Sequence, residues 1–331
     1  MAQVTGLHGL RRGLVLGGGG TLGAAWMIGA LCALDEEHGF DPRTADLIVG
    51  TSAGSILSAL LGAGASAQEL WQHQKGEVVK TGPLAGRSFD YDNAAGGAAP
   101  PRPQPGIGSP RLIARSVRHP RRFPGTAVIS AFLPGGRGSL GDIGRMVEDV
   151  IPSGAWSPHP GIRIVAMDYD SGERVVFGEP GSPCVGLAEA VVASCSIPGW
   201  FPPTVIGEHR YVDGGTFSNT SLDLFTLGRL PGGQPYDEVY VLAPMAAREY
   251  DKPSTMMGRI ERGYRHRVTR RMLLEAKQVR DGGTRVIVLC PGPDDLESLG
   301  ANLMDPTRRA EVLATARRTT TDYLTGTRAA A

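Results

Sequence analysis

Leu47-Ile48-Val49-Gly50-Thr51-Ser52-Ala53-Gly54 decides the reading of this chain. Its three leading apolar residues predict a buried strand. Gly50 to Gly54 is a Gly-x-Ser-x-Gly turn, and Ser55-Ile56-Leu57-Ser58-Ala59-Leu60-Leu61 continues as a helix. Strand, turn and helix in that order are the setting of a nucleophile elbow, which pushes a serine hydroxyl into the open at a helix N-terminus. The turn is so tight that its flanking positions, Gly50 and Gly54, must be small. Ser52 is therefore the candidate nucleophile, and the chain reads as a serine hydrolase.

The stretch upstream supports that reading. Leu14-Val15-Leu16 predicts another strand, and Gly17-Gly18-Gly19-Gly20-Thr21-Leu22-Gly23 a glycine loop leading into a helix from about Ala24. A dinucleotide site uses a similar loop but wants an acid after the second strand. Here the second strand runs into Gly50-Thr51-Ser52 instead. Glycines let backbone N–H groups converge, and an oxyanion formed at Ser52 gains about 3 kcal/mol from each such donor. Gly13 to Leu34 carries no charge, but its glycines suit a membrane span or leader poorly.

Farther along, strands and helices alternate, and continuous apolar strands imply a sheet covered on both faces. A Pro-, Gly- and Arg-rich stretch at about 81–125 reads as an insertion: a loop, a lid or an arm. Ile162 to Met167 and Arg174 to Phe177 form a hairpin around Asp170-Ser171-Gly172. Leu187 to Cys195 predicts a helix, and Arg210-Tyr211-Val212 a strand running into Asp213. Val239 to Leu242 and Arg285 to Leu289 predict two more strands. Asp305-Pro306 caps a final helix. The whole reads as one domain over 1–331, with a C-terminal helical region at about 254–331.

Composition narrows the function. The net charge of +1 gives no bias toward nucleic acid. Cys32, Cys184, Cys195 and Cys290 show no Cys-x-x-Cys spacing. They read as four buried thiols of a reducing compartment, which places the chain in the cytoplasm, with peripheral membrane contact left open. No calcium-loop spacing appears, so neither metal nor cofactor is expected.

A nucleophilic serine needs a base. None of His8, His38, His73, His119, His159, His209 and His266 stands in a setting that singles it out. Asp213 ends a strand and is followed by Gly214-Gly215, which clear space beside it; Asp142 and Asp168 compete with it, whereas Asp170 is explained by the hairpin turn.

Taken together, the glycine loop, the elbow, Ala193-Ser194-Cys195-Ser196-Ile197-Pro198-Gly199-Trp200-Phe201-Pro202-Pro203 and Asp213-Gly214-Gly215 resemble the patatin-like phospholipases. The resemblance spans about Leu14 to Asn219. It implies a three-layer α/β/α sandwich with a mainly parallel sheet. It also implies a Ser52–Asp213 dyad without histidine and an oxyanion hole from Gly18, Gly19 and Gly20. Gly23, Gly50, Gly54, Gly214 and Gly215 support these motifs. The implied substrate is a lipid or other acyl ester, from which the enzyme frees a fatty acid. Two positions depart from the family: Leu22 stands where it usually has Arg or Lys, and Ser221 where it often has Pro.

Two alternatives stay open. One is an α/β-hydrolase-type esterase with a triad through His266; the other is a lipid-binding protein of weakened activity. Met256 to Arg280 predicts an arginine-rich helix, either resting on anionic lipid or, the favoured reading, salt-bridged to the body. The sequence is silent on oligomeric state.

Overall fold

The structure, a computed structural model, describes residues 9–87, 102–226, 233–249 and 255–329. The first half runs β1 (Arg12–Leu16), α1 (Gly20–His38), β2 (Leu47–Thr51), α2 (Ala53–Gly62) and α3 (Ala67–Gln74). It continues with α4 (Pro110–Arg118), α5 (Gly125–Phe132) and α6 (Gly141–Glu148). Next come β3 (Ile162–Asp168), β4 (Arg174–Phe177), α7 (Leu187–Ser194), β5 (Thr204–Ile206) and β6 (His209–Asp213). The chain ends with β7 (Glu238–Leu242), α8 (Met256–Asp281), β8 (Arg285–Leu289), α9 (Pro293–Leu299) and α10 (Arg309–Ala329).

The sheet is ordered β5-β6-β3-β2-β1-β7-β8, with β4 also on β3. The pairings β3-β2, β2-β1, β1-β7 and β7-β8 are parallel, and those to β4, β5 and β6 antiparallel. Alternation along each strand builds a core on either face. Leu14, Leu16 and Ile48 point to one side, where α1, α2, α6, α7 and α10 contribute Trp26, Leu60, Val147, Val191 and Leu313. Val15, Val49 and Val241 point to the other, where α8 contributes Met272, Ala276 and Val279. This is the expected three-layer arrangement.

Three expectations shift. α1 starts at Gly20, not Ala24, because Gly20 takes a φ of +62° and turns the loop directly into the helix. The Pro-rich stretch contains α4, which Ser109 caps by accepting from Leu112 N–H at 3.1 Å, with Pro110 at its first position. α4 and α5 bury Leu112, Ala127 and Ala131 with Phe123 against Met167, Tyr169 and Val212, so the stretch from 110 is packed over the ends of β3 and β6. Residues 88–101 of the expected insertion lie outside the described residues. Finally, Cys184 is exposed, whereas the other three cysteines are buried. Among the described residues no helix is long and apolar enough to cross a membrane.

Candidate active site

Ser52 links β2 to α2 with a φ of 53° and ψ of −122°. Such a backbone costs a non-glycine residue about 1–3 kcal/mol and persists only where its surroundings hold it. They do here. Ser52 N–H donates to Ser194 Oγ at 2.9 Å, and Ser194 Oγ donates to Val165 O at 2.6 Å. Ser52 O accepts from Ser55 N–H at 2.7 Å and Ser55 Oγ at 2.6 Å. A Cβ at Gly54 would strike the Leu16 carbonyl, and one at Gly50 the Ser58 hydroxyl, so both turn glycines are required by close approach.

Asp213 reaches this serine through the sheet. On β3, Val165 pairs with Thr51 while the next residue, Ala166, pairs with Asp213. The end of β6 is thereby delivered to the end of β2. The carboxyl is 6 % exposed. Burial raises its pKa from 3.8 to about 6, opposed by hydrogen bonds from the Ser52 hydroxyl and from Gly215 N–H. Gly215 N–H donates to Asp213 Oδ1 at 2.7 Å. A Cβ at Gly214 would meet the Val165 carbonyl, so this glycine lets the chain turn tightly over β3.

The glycine loop lies over the pair, and a Cβ on Gly18 would stand 3.3 Å from Ser52 Cβ. Its amides are not equivalent. Gly18 N–H donates to Asn219 O at 3.1 Å, so of the three expected donors it is the one already engaged. Gly19 and Gly20 N–H meet no acceptor among the described residues, and neither does Ala53 N–H, directly after Ser52. These are the orphan donors of helix starts, where the α1 and α2 macrodipoles add positive potential. Gly23 N–H closes back on Gly19 O at 2.9 Å. Leu22 is fully buried in the core, and its N–H donates to Leu303 O at 2.9 Å.

Two hollows meet at Ser52. An apolar pouch of about 70 Å³ is walled by Ile28, Leu57, Leu60, Leu70, Ile143 and Met146. A larger cavity of about 400 Å³ holds Gly19, Gly20, Ser52 and Asp213 together with Tyr264 and Arg267 of α8. None of the described histidines lines either hollow. His266 is exposed on α8, and His209 Nδ1 pairs with Asp168 Oδ2 at 2.7 Å. Among the described residues no cluster of His, Cys, Asp and Glu could hold a metal ion.

Sequence reading missed what α8 does here. Glu275, 5 % exposed, accepts from Ser218 Oγ at 2.7 Å, Thr220 Oγ1 at 2.9 Å, Leu222 N–H at 3.1 Å and Arg271 Nε at 3.0 Å. It pins the loop whose Asn219 carbonyl holds Gly18. Tyr264 lines the cavity, its phenol pushed up to about 12 by burial and by the nearby Asp213 charge. The one sequence signal is the helical spacing of Tyr264, Arg267 and Arg271 along a single face.

Comparison with solved structures finds VipD from Legionella pneumophila, 13 % identical, covering 96 % of this chain and 67 % of that one, with a TM-score of 0.46. It also finds the type III effector protein ExoU, 17 % identical, covering 96 % of this chain and 53 % of that one, with a TM-score of 0.35. The chain thus spans about two thirds of the first and half of the second. A search of curated proteins finds no match. Among sequence families, patatin-like phospholipase matches residues 14–226, more than half of the chain. The chain belongs to the patatin-like phospholipase family.

Proposed function

We propose that this protein is a serine acyl hydrolase that cleaves fatty-acyl esters of lipids through Ser52 and Asp213. The observation that carries the reading is the strained Ser52, facing a buried carboxyl whose pKa of about 6 suits it to accept a proton near neutral pH.

In this mechanism Asp213 accepts the Ser52 hydroxyl proton as Oγ attacks the ester carbonyl. The carbonyl oxygen becomes an oxyanion, met by the Gly19 and Gly20 N–H groups, with Ala53 N–H as a further donor. Collapse breaks the bond to the alcohol, which leaves with the proton from Asp213. Water then attacks the acyl-Ser52 ester and gives its proton to Asp213. The second collapse frees the fatty acid and returns the proton to Ser52. The acyl chain lies in the apolar pouch, where each buried methylene contributes about 0.8 kcal/mol. Ile129 of α5 and Leu133, directly after that helix, are exposed and also line the larger cavity, which supports peripheral contact with lipid at its mouth.

Labelling with a fluorophosphonate, alongside hydrolysis of a medium-chain ester, tests the reading. Wild type and His266→Ala are expected to react. Ser52→Ala should neither label nor hydrolyse, and Asp213→Asn should lose hydrolysis. An active Asp213→Asn beside an inactive His266→Ala would overturn the dyad.

A further inference from the structure

We propose that Arg267 forms an anion subsite for the alcohol side of the substrate, so that the site selects acyl esters whose leaving group carries net negative charge. The proposal rests on the acyl-hydrolase reading above and narrows it.

The two hollows divide a substrate. With its ester carbonyl at Ser52 and its acyl chain in the pouch between α2, α3 and α6, the alcohol portion extends into the larger cavity under α8. That cavity runs on into a neighbouring one of about 430 Å³, sharing Thr126, Ile129, Gly215, Asn219, Tyr264 and Arg267, with Arg271 and Phe217 beyond. Across both, the ionisable wall residues are Asp213, Tyr264, Arg267 and Arg271.

These four are unequal. Asp213 is engaged with Ser52 and Gly215, and Tyr264 is held neutral. Arg271 gives Nε to Glu275 at 3.0 Å and lies over the Phe217 ring at 5.1 Å. Arg267 is exposed to the cavity and has no carboxylate within 4.0 Å among the described residues. An unpaired guanidinium beside a reaction centre is a ready site for phosphate, which it can bind by two charge-assisted hydrogen bonds.

The same wall disfavours a compensating cation on the ligand. The Phe217 ring is already occupied by Arg174 at 5.2 Å and by Arg271, so it cannot serve as a cage for a quaternary ammonium. A choline group reaching past Arg267 would face the Arg271 charge instead. A phosphodiester with an uncharged terminus meets no such penalty. α8 lies outside the matched residues 14–226, so the subsite is a feature of this chain's own C-terminal part.

The test uses full-length Ser52→Ala protein, which holds substrate without turnover, and two soluble lipids below their micelle concentrations. Dihexanoylphosphatidylglycerol is the anionic probe and dihexanoylphosphatidylcholine the zwitterionic one, with binding measured by calorimetry. The anionic probe is expected to bind about tenfold more tightly, a preference worth about 1.4 kcal/mol. Adding Arg267→Gln should bring the ratio close to one, and Arg267→Lys should restore part of it. Equal affinities in the Arg267-bearing protein, or a preference that survives Arg267→Gln, would overturn the proposal. Fluorophosphonate labelling of wild type reports separately on the hydrolase reading. An unlabelled Ser52 with an intact anionic preference would sink that reading and leave the subsite standing.

Discussion

Asp213→Asn separates two consequences of one buried carboxyl. Burial raises the Asp213 pKa from 3.8 to about 6. A raised carboxyl pKa means that the folded state holds the proton more tightly than the unfolded chain. The associated stability is present below the unfolded value and is lost as pH rises through the folded one. The shift is about two units, so at about pH 8 the ionised carboxylate costs the fold roughly 3 kcal/mol relative to acid conditions. The group is almost fully buried, so solvent screening takes little from that figure. Asparagine has the same shape, stays neutral and keeps an oxygen for Gly215 N–H. The variant should therefore be more stable than wild type by up to about 3 kcal/mol near pH 8, with the gap closing below about pH 4. Urea unfolding of both proteins across this range measures the gap directly. The proposed chemistry has the opposite sign, because only the carboxylate can accept the serine proton. In wild type kcat/KM should thus rise with pH through about 6, over the interval in which stability falls. A stability gap that does not change with pH would refute the argument from desolvation.

Three other perturbations probe different parts of the site. Ser52→Gly removes the penalty of the positive φ, so it should exceed Ser52→Ala in stability by about 1 kcal/mol in thermal melts, while both lose hydrolysis. Met146→Trp fills the pouch, and the optimum chain length in an ester series should move to shorter acyl groups. Glu275→Ala strips the acceptor from four donors and leaves Arg271 without its carboxylate. Denaturant titration should show a loss of about 3–5 kcal/mol, and a loss below about 1 kcal/mol would mean that the 218–222 loop holds itself.

The parts legible in the sequence are those whose physics is local. The elbow could be read because apolar strand, Gly-x-Ser-x-Gly and helix are consecutive, even though Gly54 answers to the Leu16 carbonyl of β1. Asp213 stood out only as a strand-end acid before Gly214-Gly215, and its pairing with Ser52 came from the family resemblance. The pattern of apolar strands announced a sheet covered on both faces. What escaped was set by partners far along the chain. Whether the Gly18 amide is free depends on Asn219, and Asn219 depends on Glu275, so residue type alone could not sort the loop amides. Arg267 and Glu275 sit on one arginine-rich helix that reads as surface, and only the packing of α8 over the 218–222 loop turns their face inward. Leu22 occupies the position where the family usually carries a cation, yet here it is a core contact.

The place of β1 in the sheet bears on how this molecule comes to exist. β1 is flanked by β2 on one side and β7 on the other, and β7 follows both the serine and the aspartate in the chain. A chain growing from its N-terminus therefore carries both reactive groups before β1 has its second neighbour. Until β7 arrives, β1 offers an apolar edge open to any extended segment, including another nascent copy. The interval before β7 is synthesised is thus the period of greatest exposure to misassociation. A fragment cut at the matched residues 14–226 would be held in that condition permanently.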